Sequence, residues 1–125
     1  MTRRSIALLA LCVILGACSG AGGAEPGTGV RGVVLVGPQC PVENPVSPCP
    51  DLPFQGDVEA TSADGSTRSV TTDDRGRFTM DLAPGTYELV AVTDGGGPPT
   101  AIPLTVQVHA GGYAQVTLEV DTGIR

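Results

Sequence analysis

The chain has 125 residues and a formal net charge of −6. It contains no lysine, so arginine supplies all of its permanently positive side chains. This length corresponds to one domain of modest size. The acidic balance opposes binding to nucleic-acid phosphates and to anionic membrane surfaces, and the absence of lysine excludes Schiff-base catalysis on a lysine.

The N-terminus has the pattern of an export signal. Arg3 and Arg4 precede an apolar run at residues 6–15. A spanning helix needs about 20 apolar residues, so this run is short for a membrane span and typical of a signal peptide. The pattern predicts a cleaved signal at residues 1–17, which leaves a single domain with a net charge of −8, because residues 1–17 carry two arginines and no acids.

The four residues LGAC at positions 15–18 make the predicted cleavage site more specific. They resemble the lipobox of bacterial lipoproteins, in which the cysteine is acylated and becomes the mature N-terminus. The resemblance implies a lipoprotein whose Cys18 carries a diacylglyceryl group, with palmitate as an expected acyl chain. Two or more chains anchor a protein stably in a membrane. Plain secretion through an ordinary signal peptide is the alternative.

Residues 18–28 are rich in Gly and Ala, include Glu25 and Pro26, and are predicted to form a flexible tether, with the folded domain at residues 29–125. The implied location is the cell membrane or envelope, where the lipid rather than a basic surface holds the domain. An envelope protein partner is expected, and its identity is open. The acidic charge argues against a nucleic-acid partner.

Two cysteines, Cys40 and Cys49, lie in the proline-rich segment GPQCPVENPVSPCP. Thiols oxidise outside the cytoplasm, so the pair is expected to form a disulfide. Structural zinc would need four Cys or His ligands, and His109 is the single histidine. The spacing also differs from the C-x-x-C of redox sites. The prolines forbid helix, so the segment is predicted to be a rigid, stapled excursion between two strands.

Alternating and β-branched residues predict an all-β fold, a β-sandwich of about seven antiparallel strands. No helical periodicity follows the signal. The predicted strands are residues 30–36, 57–63, 67–72, 77–82, 86–93, 102–109 and 115–120.

The strand at 77–82 should point Phe78 inward and Arg77 outward. Phe78 and Tyr87 lie on either side of a turn at Pro84-Gly85. Residues nearly equidistant from a hairpin turn face each other on neighbouring strands. The two aromatic side chains are therefore expected to belong to one core and to be close neighbours across a hairpin.

Two further expectations concern the later strands. Tyr87 and Leu89 lie on one face of the strand at 86–93, and Val90 and Val92 lie on the other, so this strand is predicted to be central and covered on both faces. Pro103 cannot donate a ladder hydrogen bond, so the strand at 102–109 is predicted to lie near a sheet edge.

The segment TTDDRGRFTMDLAPGTYELVAV, residues 71–92, carries a more specific pattern. It resembles the carboxypeptidase regulatory-like domains, which are prealbumin-like sandwiches related to the B-type repeats of collagen adhesins. The resemblance implies a Greek-key sandwich with an accessory, non-catalytic role. The Lys–Asn isopeptide bond of many adhesin repeats cannot form here without lysine. The matching residues are Gly76, Phe78, Leu82, Pro84, Gly85, Tyr87, Leu89 and Ala91.

No local motif pairs a nucleophile with a base, so no enzyme activity and no cofactor are expected. His109 is interpreted as a surface histidine, and Asp73-Asp74 as turn chemistry with a cation site as a minor alternative. A sugar-binding surface usually stacks aromatic rings, and the chain has no tryptophan and two tyrosines, so carbohydrate binding is disfavoured, although Phe54 on the proline-rich loop could contribute to it. The leading hypothesis is a lipid-anchored structural or protein-interaction module. The alternative is a module that binds a peptide, glycan or cation through the stapled loop.

Overall fold

The computed structural model describes residues 24–42, 45–46 and 48–124, and the predicted signal peptide and Cys18 lie outside this part of the chain. Its described residues form strands and turns, and they include no helix of the length and apolar character that a membrane crossing requires. The strands are β1 (Gly29–Gly37), β2 (Leu52–Pro53), β3 (Asp57–Ser62), β4 (Thr67–Thr71), β5 (Arg77–Asp81), β6 (Gly85–Ala91), β7 (Thr100–Ile102), β8 (Leu104–Val108) and β9 (Tyr113–Asp121).

The strands form two sheets, which confirms the predicted all-β sandwich. In the first sheet β1 pairs with β2 and β5 along one edge and with β9 along the other, and β7 follows β9. The second sheet has the order β4-β3-β6-β8. All pairings are antiparallel except that of β1 with β9, which is parallel.

The core lies between the sheets and is built by the predicted alternation. In β5 the even-numbered side chains are buried and the odd-numbered ones point outward, and β9 follows the same rule at Leu118 and Val120. Each side chain of this size contributes roughly 1.5–3 kcal/mol when it is buried. The buried hydrophobic residues are Val30, Val34, Val58, Ala60, Phe78, Met80, Leu82, Tyr87, Leu89, Ala91, Val108, Leu118 and Val120.

Close packing around β1 depends on two glycines. Gly29 has a φ of 153°, and a Cβ there would overlap the carbonyl oxygen of Met80 on β5. At Gly32 a Cβ would overlap the carbonyl oxygen of Val116 on β9. A residue with a side chain at either position would push β1 away from a neighbouring strand.

Thr28, the last residue of the predicted tether, is built into the domain. Its side chain is buried, and its hydroxyl accepts a hydrogen bond from the backbone N–H of Gly111 at 3.0 Å. Its carbonyl accepts a hydrogen bond from the N–H of Leu82 at 2.8 Å. These bonds fix the point at which the chain enters the sandwich.

The expected hairpin between Phe78 and Tyr87 is wrong, although both side chains belong to the one core as predicted. Phe78 lies on β5, which pairs with β1, and Tyr87 lies on β6, which pairs with β3 and β8. The turn at Pro84-Gly85 therefore carries the chain from one sheet to the other. The two aromatic residues belong to facing sheets and are not cross-strand neighbours.

The predicted strand at 102–109 is divided at Pro103 between the two sheets. β7 pairs with β9 at the edge of the first sheet, and β8 pairs with β6 at the edge of the second. The edge position is confirmed. Because the chain changes sheet at Pro103, the inward and outward positions of β7 do not continue the alternation of β8. In β7 it is Ala101 that packs against the core, and Ile102 is 46% exposed.

The strand at 86–93 is central in its sheet, between β3 and β8, but it is not covered on both faces. Thr86 and Glu88 are exposed on its outer side, and Val92, just beyond β6, is 47% exposed. Two apolar residues on the second face are therefore too few to indicate a second buried layer.

Replacement of the large core side chain in Phe78→Ala should lower the free energy of unfolding by about 3–5 kcal/mol, because it leaves a cavity between the sheets. Chemical denaturation measures this loss. Thr79→Ala, on the exposed face of the same strand, is the matched control and should cost under about 0.5 kcal/mol. Equal losses in the two variants would contradict the assigned faces of β5.

Candidate functional site

The stapled loop, residues 38–51, leaves the end of β1 and is closed by the predicted disulfide. Cys40 and Cys49 are bonded, with their Cα atoms 6.0 Å apart, a separation typical of disulfides. The base of the loop is also tied to the C-terminal end of β9. Thr122 donates its backbone N–H to the carbonyl of Gly37 at 3.0 Å and its hydroxyl to the carbonyl of Pro38 at 2.6 Å.

Phe54 follows the stapled loop, and its partly buried side chain packs against the core, which leaves only part of the ring available to a ligand. Its carbonyl accepts a hydrogen bond from the hydroxyl of Thr72 at 2.8 Å, and that hydroxyl accepts one from the N–H of Gly56 at 3.0 Å. Thr72 is buried, and its hydroxyl thereby joins the returning loop to the crossing between β4 and β5. The sequence offered no signal for this role beyond a threonine at the end of a predicted strand.

The stapled loop exposes apolar side chains at the end of the sandwich. Val42 is 78% exposed, and Leu52, directly after the loop on β2, is 53% exposed. A hollow of about 320 Å³ lies at the base of the loop, with Pro38, Asp51 and Glu119 among its lining residues. This end of the domain therefore offers both apolar and acidic surface.

A second concavity, the outer-face trough, lies on the solvent side of the first sheet and has a volume of about 1020 Å³. The pairing register of β5, β1 and β9 determines which side chains line it. The facing residues Thr79, Arg31 and Gln115 form one outward row, and Arg77, Val33 and Thr117 form the next. By alternation the intervening row, Phe78, Gly32 and Val116, faces the inner side of the sheet.

Arg31, in the middle of the first row, is held by an aromatic ring. Its guanidinium carbon lies 4.7 Å from the centroid of the Tyr113 ring, in a cation–π contact. The Tyr113 hydroxyl donates a hydrogen bond to Asp81 Oδ1 at 2.6 Å. This bond raises the pKa of Tyr113, because the protonated hydroxyl is the form that donates to the carboxylate.

Asp73 organises the turn beside Arg77. Its Oδ1 accepts the backbone N–H groups of Arg75 and Arg77, each at 2.9 Å, and its Oδ2 lies 3.2 Å from Arg77 Nε. The bond from the backbone of Arg77 is the main reason that the pKa of Asp73 lies below its usual value. The acidic pair Asp73-Asp74 thus belongs to the turn chemistry that the sequence indicated.

The other predicted site residues are not brought together. His109 is exposed just after β8. Within residues 24–42, 45–46 and 48–124, no three His, Cys, Asp or Glu side chains lie close enough to share a metal ion. The sequence pattern located the stapled loop, whereas the outer-face trough was missed because its rows come from three strands distant in sequence.

Comparison with known proteins adds the family. Residues 56–123, more than half of the chain, match the model of the carboxypeptidase regulatory-like domain. The match begins after the stapled loop and takes in β3 to β9. No curated protein matches the chain.

The double substitution Cys40→Ala/Cys49→Ala should lower the free energy of unfolding by about 2.5–3 kcal/mol, because a closed loop of this length restricts the unfolded chain by roughly that amount. Denaturation with and without a reducing agent measures the effect. The reductant should destabilise the wild type and leave the double variant unchanged. A wild-type midpoint that does not respond to complete reduction would show that the disulfide adds no stability.

The stability contributed by Asp73 should disappear in acid. Its pKa is lowered from an ordinary value of 3.8, so the stabilisation is present above about pH 4 and is lost as pH falls through the lowered pKa. The difference in Tm between the wild type and Asp73→Asn should therefore be largest near neutral pH and should close below about pH 4. Thermal melts across this range measure it.

Asp74→Asn is the matched control, since it removes the same charge from the next residue of the turn. Its difference from the wild type should change little over the same range. A constant difference for Asp73→Asn, or equal behaviour of the two variants, would contradict the role of the Asp73 carboxylate.

Proposed function

Since the chain belongs to the carboxypeptidase regulatory-like domain family, we propose that it is a non-catalytic interaction module, anchored to the cell envelope through a lipid on Cys18. Domains of this family are non-catalytic β-sandwich modules. Support for the anchor comes from the export signal and the lipobox-like residues 15–18. The partner on this hypothesis is another protein of the envelope.

The observation that carries this proposal is the position of the stapled loop relative to the N-terminus. β1 begins at Gly29, directly after the segment that leads from Cys18, and ends at Gly37, where the stapled loop begins. Nine residues of strand rise about 3.3 Å each, so the two ends of β1 lie about 26 Å apart. The chain that leads from a lipid on Cys18 would thus join the domain at one end of β1. The stapled loop would lie at the other end.

This arrangement supports a role in recognition. The exposed apolar side chains Val42 and Leu52 are presented at the end opposite to the point of anchoring. The disulfide and the hydrogen bonds from Thr122 limit the freedom of the loop before binding. A loop that is ordered beforehand loses less conformational entropy when it meets its partner.

The hollow at the base of the stapled loop favours a second candidate function, the binding of a small ligand. Its volume of about 320 Å³ is at the lower end of the range for ligand pockets. A screen of short peptides and oligosaccharides by thermal shift tests this alternative. Selective stabilisation of the wild type over Asp51→Ala would favour it.

Replacement of the proposed lipid attachment site in Cys18→Ala should shift the protein from the membrane fraction to the soluble fraction, or leave the precursor uncleaved. The reason is that the variant has no thiol at position 18 to acylate. Membrane fractionation and mass spectrometry of the mature N-terminus measure the outcome. Cys12→Ala is the matched control, since Cys12 lies within the predicted signal, and it should leave membrane association unchanged. A mature wild-type protein with an unmodified Cys18 would overturn the anchoring proposal.

A further inference from the structure

The outer-face trough is positively charged, whereas the domain around it is acidic. The described residues include twelve acids and four arginines. Two of those arginines, Arg31 and Arg77, line the trough, and Asp73 is the one acid among its lining residues. Asp73 is occupied by N–H donors from its own turn. The trough is therefore a cationic surface on an acidic domain.

Both guanidinium groups are held in place and still have hydrogen-bond donors available. The contact with Tyr113 positions the guanidinium of Arg31, which carries five N–H donors in a planar fork. The ion pair with Asp73 is made through Nε of Arg77, whose side chain is 60% exposed. Such positioning lowers the entropy that each arginine would lose on binding an anion.

Acidic residues limit the cationic surface at both ends of β1. In the row that precedes Arg31, Gly29 lies between Asp81 and Tyr113. In the row that follows Val33, Leu35 lies beside Glu119. The favourable surface for an anion thus extends over two rows, which are about 6.6 Å apart along the strand.

The spacing of the two arginines matches an extended peptide. Arg31 faces Thr79, so Arg77 is its diagonal neighbour on β5, at roughly 7–8 Å. In an extended chain, side chains at positions i and i+2 lie on one face about 6.6 Å apart. We propose that the outer-face trough binds an extended acidic segment of a partner protein, in which carboxylates at i and i+2 pair with Arg31 and Arg77.

The other polar and apolar groups of the trough suit the same ligand. Thr79, Thr117 and Gln115 offer hydrogen bonds to a peptide backbone, and Val33 lies between Arg77 and Thr117. A sugar-binding surface usually presents an aromatic face for stacking. Here the Phe78 side chain is buried and the Tyr113 ring is covered by Arg31. These features favour a peptide over an acidic glycan.

This inference specifies the partner chemistry of the proposed interaction module and so rests in part on that function. The test uses the protein produced from the full-length chain and purified in detergent from whichever cell fraction contains it. The probe is a fluorescently labelled peptide of alternating sequence, Glu-Val-Glu-Val-Glu, in which no two glutamates are adjacent. Anisotropy should show saturable binding that weakens as salt is raised. Arg31→Gln and Arg77→Gln should each weaken binding roughly tenfold or more, since each removes charge-assisted hydrogen bonds.

Two matched controls isolate the trough. Arg68→Gln removes an exposed arginine from β4 in the other sheet and should leave the affinity unchanged. A peptide of the same composition with adjacent glutamates, and a peptide with glutamine at the same positions, should both bind at least tenfold more weakly. Circular dichroism melts of the variants verify that the substitutions leave the sandwich folded.

Four results would overturn the inference. These are no binding of the labelled peptide, equal binding by the wild type and the double variant Arg31→Gln/Arg77→Gln, equal binding of the glutamine peptide, or preference for a uronic-acid oligosaccharide over the peptide. Each of these measurements is made in detergent and is independent of how the protein reaches the membrane. A negative result in the peptide-binding test would not contradict lipid anchoring at Cys18. An unmodified Cys18 would not contradict peptide binding in the trough.

Discussion

The pairing of β1 with strands on both of its edges is the constraint on which the rest of the structure depends. β9 runs parallel to it through nine residue pairs, and β5 occupies the opposite edge along its first half. These pairings bring together segments that lie 44–52 residues apart in sequence for β5 and 84 residues apart for β9. They are accommodated because Gly29 and Gly32 have no Cβ, and they bury Val30 and Val34 completely.

The path of the chain between the sheets follows from that constraint. Because β5 pairs with β1, the segments before and after β5 must cross from one sheet to the other. The buried hydroxyl of Thr72 satisfies backbone groups at one crossing, and the Tyr87 hydroxyl donates to the carbonyl of Ala83 at the other, at 2.6 Å. Burial raises the pKa of Tyr87 above its ordinary value of 10.0. The crossings thus place Phe78 and Tyr87 in facing sheets of one core.

The same framework separates the candidate functional surfaces. The stapled loop lies at the end of β1 away from the N-terminus, whereas the outer-face trough lies along the middle of β1. The first surface presents exposed apolar side chains on and beside a loop that a disulfide closes. The second presents two positioned arginines within an acidic domain. The two surfaces thus differ in the chemistry that they present to solvent.

The sequence by itself determined the fold class, most strand positions, the inward face of β5 and the pairing of Cys40 with Cys49, because alternation and local turn chemistry act over a few residues. It also carried the family pattern around Gly76 and Tyr87. Only the tertiary structure decided that β5 and β6 belong to different sheets, that Pro103 divides one apolar run between two edges, and that Phe54 packs against the core. The outer-face trough likewise required the register of three strands, since Arg31, Arg77 and Gln115 become neighbours only after long-range pairing, which no local pattern encodes.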